Sequence, residues 1–465
     1  MGASTKPRGA EWLTRGAWVP YISVVIPAYN AAGYLKTCLA SLSASSYRDY
    51  ECIVVDDGST DDSSEVARRF GARVVRTEGR RGPAYARNLG AYQASGEVLF
   101  FIDSDVAVYE GTLSRVASHF MKEQDLTAVI GSYDDSPGSA DFMSQYRNLM
   151  HCYVHQTSHA KACTFWSGCG AIRRDAFLEF GGFDAGGYNR PAIEDIELGY
   201  RLSGAGRQLR LDRNLLVKHL KKWTVWSVVR TDVRDRGIPW TELILRDQNL
   251  PNDLNVQRSQ RISVALVFLM LGLAGLTSIV WGAHFLVPLF GLMFFLLARY
   301  WVDSRRKTRR ELLCLTAAVA GVSATGYAAG LMPVVYAVLL GYALVFLRDR
   351  YAYQAYSRRR LTGVLLGCYM AFAAVFILRY LPNSPMVFGF FALLAALIAL
   401  NHKFYLFLAV KRGRLFALTA IPFHLLYHFY NGLSFGVGLT RHLLRVRTLK
   451  GARSATGQAK PRVAA

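Results

Sequence analysis

The sequence lacks the cysteine pattern of zinc-binding or disulfide-rich proteins, and its first residues lack the pattern of a signal peptide. Its seven cysteines are scattered, and no Cys-x-x-Cys pair occurs among them. This argues against a zinc site and a disulfide framework, so we expect reduced cytosolic thiols. The first 20 residues also lack an apolar stretch of signal-peptide length. We therefore expect the N-terminal domain to stay in the cytoplasm.

Acidic residues are scarce as well, with 33 Asp and Glu against 55 Lys and Arg and a formal net charge of +22. Such a charge would suit nucleic-acid binding, but its distribution argues against that function. In the second half of the chain the basic residues fall in short loops, as at Arg305–Lys307, Arg358–Arg360 and Lys411-Arg412. This positive-inside pattern is typical of membrane proteins and predicts that those loops face the cytoplasm.

Between the basic loops lie seven apolar stretches, each near the length of about 20 residues that a membrane-spanning helix needs. They are Ile262–Trp281, Ala283–Ala298, Leu312–Ala329, Pro333–Leu347, Leu361–Leu378, Met386–Leu400 and Leu415–Leu439. Seven in succession argue against a soluble protein, and the basic loops favour six spanning helices up to residue 410. The last stretch is expected to be a seventh helix or a re-entrant or interfacial segment broken near Pro422.

The first half of the chain alternates strand-like and helix-like patterns. The predicted strands are Ile22–Ile26, Cys52–Val55, Val74-Val75 and Val98–Ile102, and the helices between them are Ala32–Leu42, Ser63–Phe70 and Pro83–Ala94. This alternation predicts an α/β domain with a mainly parallel, Rossmann-like sheet. Ligands of such sheets bind beyond the carboxyl ends of the strands. Polar residues at Tyr29-Asn30, Asp56-Asp57 and Asp103–Asp105 follow three of the strands at that edge.

Asp103 and Asp105 are separated by a single serine at the end of an apolar strand. Both side chains can turn toward one divalent cation, a hard ion that prefers oxygen ligands. Such a metal would neutralise a diphosphate and stabilise its departure. Taken alone, however, two acids after a strand are more often turn or helix-cap residues.

The segment Trp223–Leu245 is amphipathic and combines tryptophans with arginines. This composition is typical of a helix that lies in the headgroup region of a membrane. A packed helix with one solvated face is the alternative. Its position directly before the first apolar stretch favours the interfacial interpretation.

Six motifs, in this order, resemble those of the family 2 glycosyltransferases of GT-A fold. They are Ile22–Asn30, Val54–Asp61, Ala86–Gly90, Asp103–Asp105, Gly181–Asp184 and Glu194-Asp195. A lone Asp-Asp-Gly-Ser sequence is only a turn, but six ordered matches are highly specific. The resemblance extends to about residue 220.

The resemblance implies a site for a nucleotide-sugar donor, with a UDP-sugar preferred. It assigns the base and ribose to the loop Pro27-Ala28-Tyr29 and to Asp56 and Asp57. Asp57 would accept from the uracil imide, with a helix-capping role as the alternative. Arg87 would reach a phosphate, with a surface charge on a helix as the alternative. Gly168, in the segment Trp166–Gly170, would line the pocket for the donor sugar, because glycine permits close backbone approach.

The resemblance also implies a divalent metal, Mg²⁺ or Mn²⁺. Asp105 would coordinate it directly, and Asp103 would contact the ribose or a metal-bound water. His219 resembles the imidazole that completes this metal site in many GT-A enzymes. A satisfied histidine at a strand end is the alternative for His219.

The motif Glu194-Asp195 matches the position of the catalytic base in this family. Inversion at a sugar carbon needs a carboxylate that deprotonates the acceptor hydroxyl, and the resemblance assigns that role to Asp195. Glu194 would support the base or bind the acceptor. The alternative is a helix N-terminus that is enriched in acids.

One motif departs from the pattern of the processive members of the family. Those enzymes carry Gln-x-x-Arg-Trp on an interfacial helix, whereas the comparable segment here, Arg234–Trp240, has no glutamine and separates its arginines from the tryptophan. Arg234 or Arg236 is expected to hold the donor diphosphate, and Trp240 to stack on the acceptor. Farther on, His424, His428 and Asn431 share helical spacing and are expected to line a lipid-headgroup groove or to form structural hydrogen bonds.

These features predict five regions. They are an N-terminal segment (1–20), a GT-A domain (21–222), an interfacial amphipathic region (223–260), a transmembrane domain (261–440) and a basic cytoplasmic tail (441–465). The predicted function is transfer of a sugar to a lipid or lipid-linked acceptor by a multi-pass membrane enzyme of cell-envelope or glycolipid biosynthesis, with its catalytic domain in the cytoplasm. The alternatives are a processive polysaccharide synthase and an inactive transferase-like scaffold or transporter.

Overall fold

The computed structural model describes residues 19–188, 190–250, 257–281 and 385–455. The predicted membrane stretches that lie outside the described residues are Ala283–Ala298, Leu312–Ala329, Pro333–Leu347 and Leu361–Leu378. The described chain forms two compact units. Unit 1 contains the chain up to Ser132 together with Ala160–Val217, and unit 2 contains Tyr133–His159 and the chain from Lys218 onward.

Unit 1 is built on one sheet. Its strands are β1 (Ile22–Ala28), β2 (Tyr50–Asp56), β3 (Arg73–Arg76), β4 (Val98–Ile102), β5 (Val106–Val108), β6 (Leu126–Tyr133), β7 (Cys169–Arg173) and β8 (Gln208–His219). They lie in the order β3-β2-β1-β4-β7-β6-β8-β5. The first four strands of the chain pair in parallel, whereas β7 runs antiparallel to β4 and β6. The predicted parallel α/β sheet is therefore confirmed for β1 to β4, and it continues into a mixed sheet.

Helices of unit 1 pack on the sheet and bury apolar side chains against it. The helices up to residue 204 are α1 (Ala32–Ser43), α2 (Ser63–Arg69), α3 (Pro83–Gln93), α4 (Thr112–Lys122), α5 (Phe142–Thr157, in unit 2), α6 (Arg174–Glu179) and α7 (Glu194–Gly204). Every residue of β4 is fully buried, as expected for a strand with both faces covered. Helix α3 comes closest to the sheet at Gly90, where a Cβ atom would lie 2.4 Å from Cγ1 of Val25.

Replacement of Gly90 by alanine is expected to lower the thermal unfolding temperature, because the added methyl group would push α3 away from β1. Overpacking of this kind costs about 1–3 kcal/mol. Gly33 is the matched control: it lies in α1, and no atom lies within 4 Å of its Cβ position. Gly33→Ala should be neutral or slightly stabilising, since alanine favours helix. Equal melting temperatures for the two variants would contradict the close contact at Gly90.

Unit 2 is helical apart from its short share of β6 and β8. Besides α5, its helices are α8 (Val225–Arg230), α9 (Ile238–Asp247), α10 (Arg258–Trp281), α11 (Pro385–Leu400), α12 (His402–Arg412) and α13 (Arg414–Ala455). A π-helical segment, Thr231–Gly237, joins α8 to α9 without interruption. The predicted amphipathic helix over Trp223–Leu245 is thus present as a helical run from Val225 to Asp247. Such π segments are frequent at functional sites.

Aromatic packing and polar contacts hold α5 to α12 and α13. The rings of Phe142 and Phe416 are tilted against each other by 46°, with centroids 4.8 Å apart. Arg412 donates from Nε to Oε1 of Gln145 at 2.6 Å, and Lys411 forms an ion pair of 2.6 Å with Asp135. Helix α5 is therefore part of the helical unit, although its sequence lies between strands of the sheet.

Within the described residues, one helix is long and apolar enough to cross a membrane, over Arg258–Leu276 of α10. The pair Phe388–Leu400 and His402–Arg412 passes the same test jointly, although it bends by 63°. One or two such helices are weak evidence for a membrane protein. They do not establish the predicted bundle of six.

The predicted break near Pro422 is wrong, because α13 continues through this residue. A proline removes one helical hydrogen bond, but its neighbours Ala420 and Phe423 are buried in the core of unit 2, and this packing keeps the helix continuous. The described chain bends instead at Asn401. The Nδ2 of Asn401 donates to the carbonyl of Leu397 and to Oγ of Ser263, both at 2.9 Å.

Candidate active site

The polar residues that follow β1, β2 and β4 lie at one edge of the sheet, because these strands run parallel. Ala28, at the end of β1, is in register with Asp56, at the end of β2. Asp103 directly follows β4, which pairs with the other side of β1. The structure therefore brings together the three predicted polar clusters, as expected from the position of ligand sites in such sheets.

Asp56 and Asp57 are both buried and hold the loops around them. Asp56 accepts from the N–H of Ser59 at 2.8 Å and also from the hydroxyl of Ser64. Burial alone would raise the pKa of Asp56, but these hydrogen bonds outweigh burial and lower the pKa. Asp57 accepts from the N–H groups of Arg81 and Gly82, both at 2.8 Å.

Within the chain that the structure describes, the hydrogen bonds of Asp57 leave one acceptor position free for its predicted contact with the base of the nucleotide. Its Oδ1 also accepts from the hydroxyl of Thr77 at 3.0 Å, whereas Oδ2 accepts only from Gly82 among the contacts of the described residues. A carboxylate oxygen has two acceptor positions. One position on Oδ2 therefore remains for the imide N–H of a base.

The loop Gly79–Gly82 contributes groups that the sequence motifs did not indicate. The guanidinium of Arg80 lies 4.1 Å from the ring centroid of Tyr29, which is 39% exposed. Gly79 and Gly82 adopt positive φ angles of 73° and 95°, as expected of glycines in a turn. The sequence does contain a signal for this loop, namely two glycines that flank two arginines directly before α3. The loop places a cation on an aromatic ring at the same edge of the sheet.

Arg87 connects two of the predicted site acids. Its Nη2 donates to Oδ1 of Asp103 at 2.6 Å, and its Nη1 donates to Oε1 of Glu194 at 2.9 Å. Arg87 and Glu194 are both buried. Burial raises the pKa of Glu194, Arg87 opposes this shift, and the neighbouring Asp195 adds to it. The predicted contact of Arg87 with a phosphate stays a prediction, but carboxylates already hold the Nη1 and Nη2 atoms of its guanidinium.

Asp195 is half-buried at the start of α7 and is held by three hydrogen bonds. Its Oδ2 accepts from the N–H and the hydroxyl of Ser167, both at 3.0 Å, and its Oδ1 accepts from the N–H of Ile196 at 2.8 Å. Ser167 belongs to the segment predicted to line the sugar pocket. In that segment a Cβ on Gly168 would lie 2.8 Å from the ring of Trp166. The close contact at Gly168 is therefore with Trp166, and the predicted contact of Gly168 with the donor sugar stays a prediction.

The two carboxylates after β4, Asp103 and Asp105, fit a divalent metal that takes most of its ligands from the substrate and water. Asp103 has a side chain 34% exposed, and Arg87 occupies only its Oδ1. Asp105, two residues on, is half-buried. In the part of the chain that the structure describes, no three His, Cys, Asp or Glu side chains form a group that could hold a metal. One or two carboxylates completed by phosphate and water are a common magnesium site.

The remaining predicted site residues lie in unit 2. His219, at the end of β8, is buried and stacks on Tyr133 with ring centroids 4.3 Å apart, and its role as a metal ligand stays a prediction. Arg236 lies in the π-helical segment, and Trp240 lies in α9 and is 8% exposed. Both of these residues line a cavity of unit 2.

An α/β sheet with acids at the carboxyl edge of its parallel strands is typical of a class of ligand-binding α/β domains. Comparison with known proteins narrows this class, since residues 23–181 match the family described as glycosyl transferase family 2. The chain is 38% identical over 129 residues to the glycosyltransferase GlyG of Streptococcus pneumoniae serotype 4, covering 26% of this chain and 42% of that protein. It is 35% identical over 120 residues to an uncharacterized glycosyltransferase of Haemophilus influenzae, covering 25% of this chain and 48% of that protein.

The chain thus spans under half the length of these curated relatives. A solved structure, the mannosyltransferase PcManGT from Pyrobaculum calidifontis in complex with GDP-Man and Mn²⁺, is 16% identical with a TM-score of 0.38 over 88% of each chain. A score this low carries no inference about ligands. Residues 23–181 are thus similar to the family 2 glycosyltransferases.

Proposed function

We propose that this protein is a membrane-bound, inverting glycosyltransferase that uses a divalent metal and a nucleotide-sugar donor. A UDP-sugar is the preferred donor, and the acceptor is a lipid or lipid-linked molecule at the cytoplasmic face of the membrane. The observation that carries the proposal is the network in which Arg87 joins Asp103 to Glu194, next to Asp195. It connects motifs that are far apart in the sequence into one site.

In the proposed reaction Asp195 takes the proton of the acceptor hydroxyl. The bond between the sugar carbon and the nucleotide diphosphate breaks as the acceptor oxygen bonds to the opposite face of that carbon. Hydrogen bonds from Ser167 and Ile196 fix the orientation of the Asp195 carboxylate, so that its geometry is set before substrate arrives.

Asp103 and Asp105 would hold Mg²⁺ or Mn²⁺ against the donor diphosphate. A bound metal supplies positive charge that stabilises the departing nucleotide. Arg87 keeps Asp103 in place through a contact of 2.6 Å. His219, predicted to complete the metal site, remains part of the proposal. Pro27, Ala28 and Tyr29 would contact the base.

The proposal is tested by incubating membranes that contain the protein with a panel of labelled nucleotide sugars and Mg²⁺ or Mn²⁺. We expect one donor to yield a lipid-extractable product whose mass increases by one sugar. Long polymer from donor alone would favour a processive synthase instead. Absence of both transfer and donor hydrolysis would favour an inactive, transferase-like protein.

Asp105→Asn is expected to raise the metal concentration for half-maximal transfer by about tenfold, because a neutral amide is a weaker ligand for a hard cation. The measurement is transfer rate against Mn²⁺ concentration at saturating donor. Asp125→Asn, at an exposed residue before β6, is the control and should leave the curve unchanged. An unaltered metal dependence in Asp105→Asn would refute the assignment of this acid.

A further inference from the structure

Unit 2 contains a cavity of about 570 Å³. It lies among the π-helical segment, α9, α10 and α13, and Arg147 of α5 reaches it as well. Its volume falls within the range of about 300–1,000 Å³ that is usual for sites of small ligands. The residues that line it separate into a cationic set and an apolar set, and each set constrains the ligand.

Arginines outnumber acids among the residues that line the cavity. Arg147, Arg236 and Arg261 line the cavity, and Asp232 is the one acid among the described residues that do so. Asp232 is already engaged, because it accepts from Arg147 at 2.6 Å and from the hydroxyl of Tyr430 at 2.7 Å. No ion pair of Arg236 occurs in the part of the chain that the structure describes. The cavity therefore favours an anionic group.

His428 lines the same cavity and is 1% exposed. Neither of its ring nitrogens has a hydrogen-bond partner among the described residues. A buried polar group without a partner is unfavourable, and a ligand that carries acceptor oxygens would supply one. A phosphate oxygen is such an acceptor, and arginine is well suited to binding phosphate beside it.

The apolar set includes Val264, Ala265 and Phe268 of α10. This is the helix that is long and apolar enough to cross a membrane. Gly432 of α13 permits its close approach, since a Cβ there would lie 2.2 Å from the ring of Phe268. The apolar lining would accept a hydrocarbon chain, because burial of its CH₂ groups away from water is favourable.

We infer that this cavity binds the phosphate end of a lipid that carries a phosphate or pyrophosphate on a hydrocarbon chain. Arg236 and His428 hold the phosphate oxygens, and Phe268 and its neighbours on α10 contact the chain. This inference rests on the proposed function, because it names the chemical class of the acceptor lipid. It also reassigns Arg236 from the donor diphosphate to the phosphate of the acceptor.

The inference is tested by binding to the purified full-length protein in detergent. The probes are farnesyl phosphate, farnesol, inorganic phosphate and uridine diphosphate, and native mass spectrometry measures each dissociation constant. We expect farnesyl phosphate to bind at least about tenfold more tightly than farnesol or inorganic phosphate, because it uses both sets of groups. Farnesol binding as tight as that of farnesyl phosphate would overturn the inference, since the arginines would then be unused.

Two variants locate the site. Arg236→Gln and His428→Phe are expected to weaken farnesyl phosphate binding by about tenfold each, while uridine diphosphate binding stays unchanged. Arg246→Gln is the matched control, because Arg246 lies on α9, is 54% exposed and pairs with Asp247. Equal loss in the control would overturn the inference, as would a loss of uridine diphosphate binding in Arg236→Gln. The latter result would instead assign Arg236 to the donor.

The same preparations separate this inference from the proposed function. Donor hydrolysis and metal-dependent nucleotide binding report on the transferase, and neither needs the lipid. Intact donor hydrolysis without specific farnesyl phosphate binding would refute the cavity assignment and leave the transferase standing. Specific lipid binding without any use of a nucleotide sugar would refute the transferase while supporting the cavity as a phosphate-lipid site.

Discussion

Asp195→Asn is expected to lower the rate of sugar transfer by about 10²- to 10⁴-fold, the usual contribution of a general base. The amide has the size of the carboxylate but cannot take the proton of the acceptor. Metal-dependent nucleotide binding should remain nearly intact, because the variant retains Asp103 and Asp105. The measurement combines single-turnover transfer with a nucleotide titration in the presence of Mn²⁺.

Ser167→Ala is the matched control for this prediction. It removes the hydroxyl that donates to Oδ2 of Asp195 at 3.0 Å, while the backbone N–H of the same residue still donates to that oxygen. Transfer should fall by only about fivefold, since the base remains and loses one orienting hydrogen bond of about 1 kcal/mol. If Asp195→Asn weakened nucleotide binding as much as transfer, Asp195 would be a donor ligand rather than the base.

Local patterns were sufficient to predict the first part of the fold. Strand β4 was predicted with the bounds it has in the structure, Val98–Ile102, because a fully buried parallel strand is a continuous apolar run. Strand β8 was not predicted. Its twelve residues, Gln208–His219, mix polar and charged residues with buried aliphatic residues, and long-range partners complete the sheet around it. Such pairing leaves only a weak signal in local spacing.

The candidate site shows the same division between local and long-range information. The motifs located each acid at the correct loop, because parallel strands end at one edge of the sheet. The contacts of Arg87 were not predictable, since Glu194 lies 107 positions away in the sequence. The position of Arg87 depends on the packing of its helix, α3, against β1 at Gly90. Sequence motifs identified the participants, and packing determined which side chains meet.

Arg87→Met is expected to destabilise the protein strongly, because it removes the partner of a buried acid. Arg87 and Glu194 have side chains only 6% and 5% exposed. Loss of one partner from such a buried pair costs about 3–5 kcal/mol. At about 2–4 °C per kcal/mol for a unit of this size, the melting temperature of the full-length protein should fall by roughly 6–20 °C. Transfer should fall too, because Asp103 loses the contact that orients it.

A second variant distinguishes the loss of a partner from simple loss of packing. In the double variant Arg87→Met with Glu194→Gln no buried charge is left without a partner, so most of the lost stability should return. Transfer should stay low, because Asp103 still lacks its guanidinium. Arg69→Met is the surface control: its pair with Glu65 is 73% and 57% exposed, and such pairs contribute about 0–1 kcal/mol. If the double variant melted no higher than Arg87→Met, the cost would come from packing around α3, and the buried ion pair would not be what holds Asp103 and Glu194 in place.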